Sequence, residues 1–249
     1  MQKPERKQEI LRILKQQGYT TVEQLCKLIY ASASSVRRDL NELAERGLIQ
    51  RSHGGAELAA NNTALIPYTV RRSSNTEAKR KIAEKVAGII REGDVVFLDQ
   101  SSSSFYVAAS LIHKKDITIV TNNVEIISGL NQYSIRILCC GGILCSNNRY
   151  ALVGKDAESF ISQIHADYAI FSCRSLTEGG ELYDCQYDEM AVRSAMVSHA
   201  EKSLFLCTSD KIDTVSAYRF CSLAEIDFLV CEDGQGEKYA EAFPNLTIL

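Results

Sequence analysis

The chain has 249 residues, 45% of them hydrophobic and 24% charged, with only three prolines and a formal net charge of −3 at pH 7. That length suits one large domain or two unequal ones, and the ordinary globular composition excludes a fibrous or largely disordered protein. No apolar run approaches the roughly 20 residues that span a bilayer, and the opening MQKPERKQEI lacks the apolar stretch of a secretory signal, so no membrane partner and a cytoplasmic location are expected.

The charge is unevenly spread. Residues 1–56 hold ten Lys and Arg against six Asp and Glu, a local excess of +4, while the rest holds 18 against 25. A basic N-terminal piece on an acidic chain points to an anionic partner for that piece alone.

Pro4 suits the first turn of a helix, where its missing N–H costs nothing, and Ile10, Leu11, Ile13 and Leu14 recur at helical spacing up to Gly18. Thr20-x-x-Glu23 has the form of a capping box opening a second helix, with Val22, Leu25, Leu28 and Ile29 as its buried stripe. After Tyr30-Ala31, Ser32 is an N-cap for a third helix whose core face is Val36, Leu40 and Leu43. Gly47 ends it. Leu48–Ser52 then reads as a strand and His53-Gly54-Gly55-Ala56 as its turn.

Three short helices followed by a basic hairpin describe a winged helix-turn-helix. On the third helix Ser34, Arg38 and Asn41 project opposite Val36, flanked by Ser35 and Arg37. Small hydroxyls let a helix approach the major groove, and guanidinium groups fork onto guanine edges or phosphates. A duplex-DNA surface is therefore expected from Ser32, Ser34, Ser35, Arg37, Arg38 and Asn41, with Arg51 and His53 on the wing.

Residues 5–56 resemble the DeoR family of bacterial transcriptional regulators almost position for position. The resemblance is carried by Arg6, Ile10, Leu14, Val22, Leu25, Ser32, Ser35, Val36, Arg37-Arg38-Asp39-Leu40, Leu43, Gly47, Arg51 and His53-Gly54-Gly55-Ala56. Tyr30 departs from it, since the family usually has a small turn residue there.

Residues 57–77 are polar and without period, and read as a linker in which Pro67-Tyr68 and Arg71-Arg72 dock onto one of the domains. A solvated charge and a phosphate contact are both open for the two arginines. From residue 78 the pattern alternates. A helix around Ile82, Val86 and Ile89 precedes strand 95–98, a helix over about 104–112 precedes strand 117–120, and a helix near 124–130 precedes strand 135–138. Further strands are expected at 168–173, 203–207, 226–231 and 246–249, with a helix over about 186–200. The fold class expected is α/β with a mainly parallel sheet. The domains expected are a winged helix-turn-helix over 1–58, a linker over 59–76 and an effector-sensing α/β domain over 77–249.

Ligands of open parallel sheets bind beyond the carboxyl ends of the strands. There the chain places Asp99-Gln100-Ser101-Ser102-Ser103-Ser104, Thr121-Asn122-Asn123, Gly141-Gly142 and Thr208-Ser209-Asp210-Lys211. Serines entering a helix N-terminus can cradle a phosphate, Lys211 can add a point charge, and Asp99, Asn122 or Glu189 can accept sugar hydroxyls. The expected effector residues are Asp99, Ser101, Ser102, Ser103, Ser104, Asn122, Gly141, Gly142, Glu189 and Lys211. Serine and asparagine also cap helices after strands without binding anything.

The resemblance continues through this domain. It implies a fold similar to ribose-5-phosphate isomerase and coenzyme A transferases, and a response to phosphorylated sugars. Matching positions are Asp99 with the serine loop, Thr121-Asn122, Gly141-Gly142, Gly154, Asp167, Asp188-Glu189 with Val192, Arg193 and Met196, and Lys211. The family's first loop usually reads Asp-Ser-Gly-Thr-Thr, whereas this chain has Gln100 and Ser101 with no glycine. Ser172 and Ser175 stand where glycines are usual, and Thr208 replaces a usual aspartate. Losing those glycines is expected to narrow or reshape a phosphate pocket.

The nine cysteines form no C-x-x-C pair and sit mostly in apolar runs, as core thiols do in a reducing compartment. No histidine stands near Cys139, Cys140 and Cys145 to complete a zinc pattern, so neither a metal nor a cofactor is expected. The function expected is a sequence-specific, homo-oligomeric regulator that binds an operator, a repressor of a carbohydrate operon controlled by a phosphorylated sugar, with no catalytic residues. The alternative is a sugar-phosphate isomerase or CoA-transferase-like enzyme with an appended DNA module, with Asp99, Glu189 and Lys211 as acid–base groups. A purely architectural DNA binder is a third reading.

Overall fold

Ile10, Ile13 and Leu14 fall on one face of the first helix, α1 (Lys3–Gln17), and that face is buried. Gly18 closes α1 at φ +69, where its N–H donates to Leu14 O. The computed structural model describes residues 3–45, 48–52, 54–58 and 66–249, and the chain divides into two units, Met1–Pro67 and Tyr68–Leu249.

In the first unit, α1 is followed by β1 (Thr20–Thr21), α2 (Val22–Ile29), α3 (Ala33–Glu45), β2 (Ile49–Ser52) and β3 (Gly55–Leu58). The capping box of α2 lies one residue later than the sequence suggests. Thr21 Oγ1 accepts the Gln24 N–H at 3.2 Å and Gln24 Oε1 accepts the Thr21 N–H at 2.9 Å. Both threonines pair with β3, Thr20 with Ala56 and Thr21 with Gly55, and it is Thr21, the last residue of β1, that stands directly before α2 and caps it. The stripe of α2 is Val22, Leu25 and Ile29, whereas Leu28 is 46% exposed. At 100° per residue Leu28 lies about 120° from Val22, outside that stripe.

β3 is the middle strand of a small antiparallel sheet, in the order β1-β3-β2. The turn expected over 53–56 is therefore shorter, because Gly55 and Ala56 already belong to β3. A Cβ on Gly55 would stand 2.6 Å from Thr20 O and 2.7 Å from the Tyr19 ring, so only glycine fits. Gly47 and His53 lie outside the described residues.

The second unit opens with a helix where a linker was expected, α4 (Tyr68–Ser73), followed by α5 (Thr76–Ile89). Then come β4 (Val95–Leu98), α6 (Ser102–Leu111), β5 (Thr118–Thr121), α7 (Val124–Gly129) and β6 (Arg136–Cys139). A hairpin, β7 (Ile143–Leu144) and β8 (Leu152–Val153), precedes α8 (Lys155–Ile161) and β9 (Ala166–Phe171). The chain continues through β10 (Ser175–Leu176), β11 (Glu181–Asp184), α9 (Tyr187–Ser198), β12 (Ala200–Cys207), β13 (Tyr218–Ser222), β14 (Phe228–Cys231) and β15 (Thr247–Ile248).

Seven of these strands form one parallel sheet in the order β15-β14-β12-β9-β4-β5-β6. Side chains alternate across it. Val96, Leu98 and Ile119 pack with Ile82 and Val86 of α5, Val107 and Leu111 of α6 and Ile126 of α7. Phe97 and Val120 face the other way, onto Ala157 and Ile161 of α8 and Val192 and Met196 of α9. Helices on both faces explain why these strands read as nearly continuous apolar runs. A second sheet, β10-β11-β13, places Leu176, Leu182 and Cys221 in a third cluster with Phe205, Cys207 and Leu229.

Candidate nucleic-acid interface and effector site

α3 buries Val36, Leu40 and Leu43 completely or nearly so, and its opposite face is polar. Ser32, Ser34, Arg37, Arg38 and Asn41 are exposed and Ser35 is half-buried. Ser32 Oγ accepts the Ser35 N–H at 3.3 Å and also meets the Ser34 and Ser35 hydroxyls at 3.1 and 3.0 Å. This N-cap gathers three hydroxyls at the positive end of a 13-residue helix. Arg51 of β2, also exposed, donates to Asn41 Oδ1 and ties the wing to α3. Asp39, between Arg38 and Leu40, is wholly buried and holds Arg6 of α1 at 2.5 Å. It fixes α3 against α1 rather than meeting a ligand.

In the second unit, Ser101 caps α6, its Oγ accepting the Ser104 N–H at 3.1 Å, and Ser101 through Ser104 are all at least nine-tenths buried. Asp99 serves a different purpose from the hydroxyl acceptor expected of it. Its Oδ1 accepts the Ser101 N–H at 3.1 Å and the Ser104 hydroxyl at 2.6 Å. Its Oδ2 accepts the Ser172 N–H at 3.2 Å and Arg193 Nε at 3.1 Å. Four donors on two oxygens saturate this carboxylate and make it the anchor of the loop. Arg193, 2% exposed on α9, also donates to Asp184 Oδ2 at 2.8 Å. Burial works against its charge, but Cys173, Asp184 and Asp99 outweigh burial and hold its pKa above the ordinary value.

Asn122 and Glu189 come together through Gln100, whose carboxamide lies between them. Burial pushes the Glu189 carboxyl up, against the opposing pull of Arg71 and the Asn148 hydrogen bond. Gly141 and Gly142 act through their backbones, at φ +69 and +102. A Cβ on Gly142 would stand 2.6 Å from Val153 O, so glycine lets β8 pass close by. Lys211, in a single 3-10 turn at Ser209–Lys211, donates to Ser172 Oγ at 2.6 Å.

Two further cations act on this region, Lys79 on Lys211 and Arg71 on Glu189. Lys79 of α5 is 4% exposed and donates to the carbonyls of Arg71 and Ser74. Its pKa falls to about 7, first through burial and then through repulsion from Lys211, with Asp210 opposing and Arg71 and Arg72 adding to the fall. Arg71 lies on α4, and α4 is clamped on both sides. Tyr68 stacks on Tyr150 at 4.5 Å, while Arg72 lies 4.0 Å over Phe105 and pairs with Glu125 at 3.1 Å. In the sequence Lys79 stands in the segment Glu77-Ala78-Lys79, in the first turns of α5.

Among the described residues no group of three or more His, Cys, Asp or Glu could hold a metal ion, and no helix is long and apolar enough to cross a membrane. Residues 6–62 match the model of a DeoR-like helix-turn-helix domain, and residues 74–233 match that of a DeoR C terminal sensor domain. The glycerol-3-phosphate regulon repressor of Escherichia coli K12 is 32% identical over 91% of this chain and 90% of its own length. The transcriptional repressor GlcR of Bacillus subtilis is 32% identical over 93% and 89%, and the L-fucose operon activator of Haemophilus influenzae 29% over 96% and 97%. Ribose 5-phosphate isomerase A of Methanocaldococcus jannaschii superposes with a TM-score of 0.42 at 14% identity, over 56% of this chain and 55% of that one. With both of its units matched, and relatives aligned over nearly the whole length, the chain belongs to the DeoR family of transcriptional regulators.

Proposed function

We propose that this protein is a cytoplasmic, homo-oligomeric repressor of a carbohydrate or polyol-phosphate operon, released from its operator by a small phosphorylated metabolite. The DNA contacts are Ser32, Ser34, Ser35, Arg37, Arg38 and Asn41 of α3, with Arg51 and His53 of the wing. The effector sits beyond the ends of β4, β5 and β12, where the serine turn of α6 and the cations Lys79 and Lys211 meet its phosphate. One observation carries the effector part of this reading: Lys79, 4% exposed, lies within electrostatic reach of Lys211, Arg71 and Arg72, and burial first, then these cations, lower its pKa to about 7. A phosphate dianion there offsets the mutual repulsion, and that differential affinity lets it shift the protein between two states. Relatives named for glycerol 3-phosphate and for sugar operons support the ligand class.

The enzyme reading is weaker, because Asp99, one of its three acid–base candidates, already receives four hydrogen bonds. Fluorescence anisotropy on the DNA upstream of the protein's own gene tests the proposal. Binding is expected to be sequence-selective, to weaken steeply with salt and to be reversed by a phosphorylated polyol or sugar. Sequence-indifferent binding, or binding that no phosphorylated ligand alters, would remove it.

A further inference from the structure

Gln100 is one of the positions where this chain departs from the loop its family usually carries, and the structure gives its side chain a specific place. It is 1% exposed. Its Oε1 accepts Asn122 Nδ2 at 3.0 Å and its Nε2 donates to Glu189 Oε2 at 3.1 Å. The same Asn122 amino group donates to Leu152 O at 3.0 Å. Asn148 Nδ2 donates to the other Glu189 oxygen at 2.8 Å, and Asn148 Oδ1 accepts the Tyr150 N–H at 3.2 Å. One chain of hydrogen bonds thus runs from β8 through the end of β5, the end of β4 and α9 to the turn between β7 and β8. Asn122, Asn148 and Glu189 are 0, 6 and 5% exposed.

The consequence concerns ligand size. A carboxylate and an amide facing each other beyond the strand ends are the acceptor and donor that a vicinal diol would use. Here both are engaged by a glutamine amide, which has an acceptor and a donor of its own. Among the described residues, Asn122 Oδ1 is the one buried side-chain atom of this network left without a partner. The cationic end is separate from it. Gln100 adjoins Asp99, which receives the Ser172 N–H, and the Ser172 hydroxyl receives Lys211. A phosphate can therefore be held while the ring-binding end stays filled.

We propose that Gln100 determines specificity in the sensor, its carboxamide taking the place of a sugar diol so that the site admits a compact acyclic phosphate ester and rejects a hexose phosphate ring. The inference rests on the effector site described above.

The test compares the full-length protein with Gln100→Ser, by calorimetry and thermal shift, against inorganic phosphate, glycerol 3-phosphate and glucose 6-phosphate. The wild type is expected to bind glycerol 3-phosphate at least about tenfold more tightly than glucose 6-phosphate, a typical difference for a polar group that loses its partner. Gln100→Ser is expected to gain about tenfold or more for glucose 6-phosphate with phosphate binding unchanged. Equal affinity of the wild type for the two esters overturns the proposal, and this arm stands even if the variant does not fold. A folded Gln100→Ser that gains nothing, or loses ester binding, also overturns it. Lys211→Ala separates the two readings. If it leaves binding intact, the ligand sits elsewhere, and the site and this inference fail together. If it abolishes binding while Gln100→Ser matches the wild type, only the inference on Gln100 fails.

Discussion

The two units hold their arginines in opposite ways. Arg37 and Arg38 lie exposed on the polar face of α3, whereas Arg193 lies 2% exposed between Asp99 and Asp184. An exposed guanidinium keeps its hydration until a partner replaces it, so it contributes to recognition and little to stability. A buried one has given up water, and the carboxylates around it must compensate or the fold fails. The same side chain thus stands in solvent in the first unit and is a structural tie in the second.

The largest effect expected follows from the buried arrangement. Arg193→Met leaves Asp99 and Asp184 buried without their counter-charge and is expected to cost the sensor unit about 3–5 kcal/mol. Chemical denaturation measures this, and a loss below about 1 kcal/mol would show that the carboxylates find other partners. Operator affinity of whatever fraction remains folded separates stability from recognition.

Lys79 extends the contrast to pH. Its folded pKa of about 7 lies below the roughly 10.4 of an unfolded lysine. Between those values the unfolded chain binds more protons, so this group makes stability rise with pH across that window and adds no slope below it. The rise is expected to reach a few kcal/mol at most. Subtracting the profile of Lys79→Gln from that of the wild type isolates it, and saturating phosphate is expected to flatten it. A wild-type profile that parallels the variant's from pH 7 to 10 would refute the assignment.

Arg37→Ala and Arg38→Ala are expected to leave the melting temperature nearly unchanged while weakening operator binding by about tenfold or more each. A contact to phosphate lowers the salt slope by about one, whereas a contact to a base edge relaxes preference at one position. Unchanged affinity in both variants would remove α3 as the reading helix. The smallest effect concerns Tyr30, 96% exposed at φ 52 on the turn between α2 and α3. Tyr30→Gly relieves a left-handed backbone and is expected to stabilise the first unit by up to about 1 kcal/mol. A destabilised variant would mean that the ring packs on something in solution.

The winged unit was nearly all legible in the residue order, because its helices are short, capped and amphipathic. Where the unit departs from its local pattern, a long-range pairing overrides a local preference. Gly55 reads as a turn residue, and its pairing with Thr21 makes it a strand residue. In the second unit the apolar strands were visible from their runs. The hairpin β7–β8, the helix α8 and the sheet β10-β11-β13 are not legible in the residue order: β7, β8 and β10 have two residues each, β11 and β13 four and five, and α8 seven, all too short to carry a clear period.

What the residue order settled alone was local. It set the spacing of Val36, Leu40 and Leu43 against Ser34, Arg38 and Asn41, the alternation of helix and strand from residue 78, and the polar loops at strand ends. Which polar groups meet was decided only by tertiary packing. Asp99 and Arg193 are 94 residues apart, and Gln100 and Glu189 are 89 apart. A buried carboxylate can end as an anchor or as a ligand contact, and that depends on which donors the parallel sheet brings within hydrogen-bonding distance.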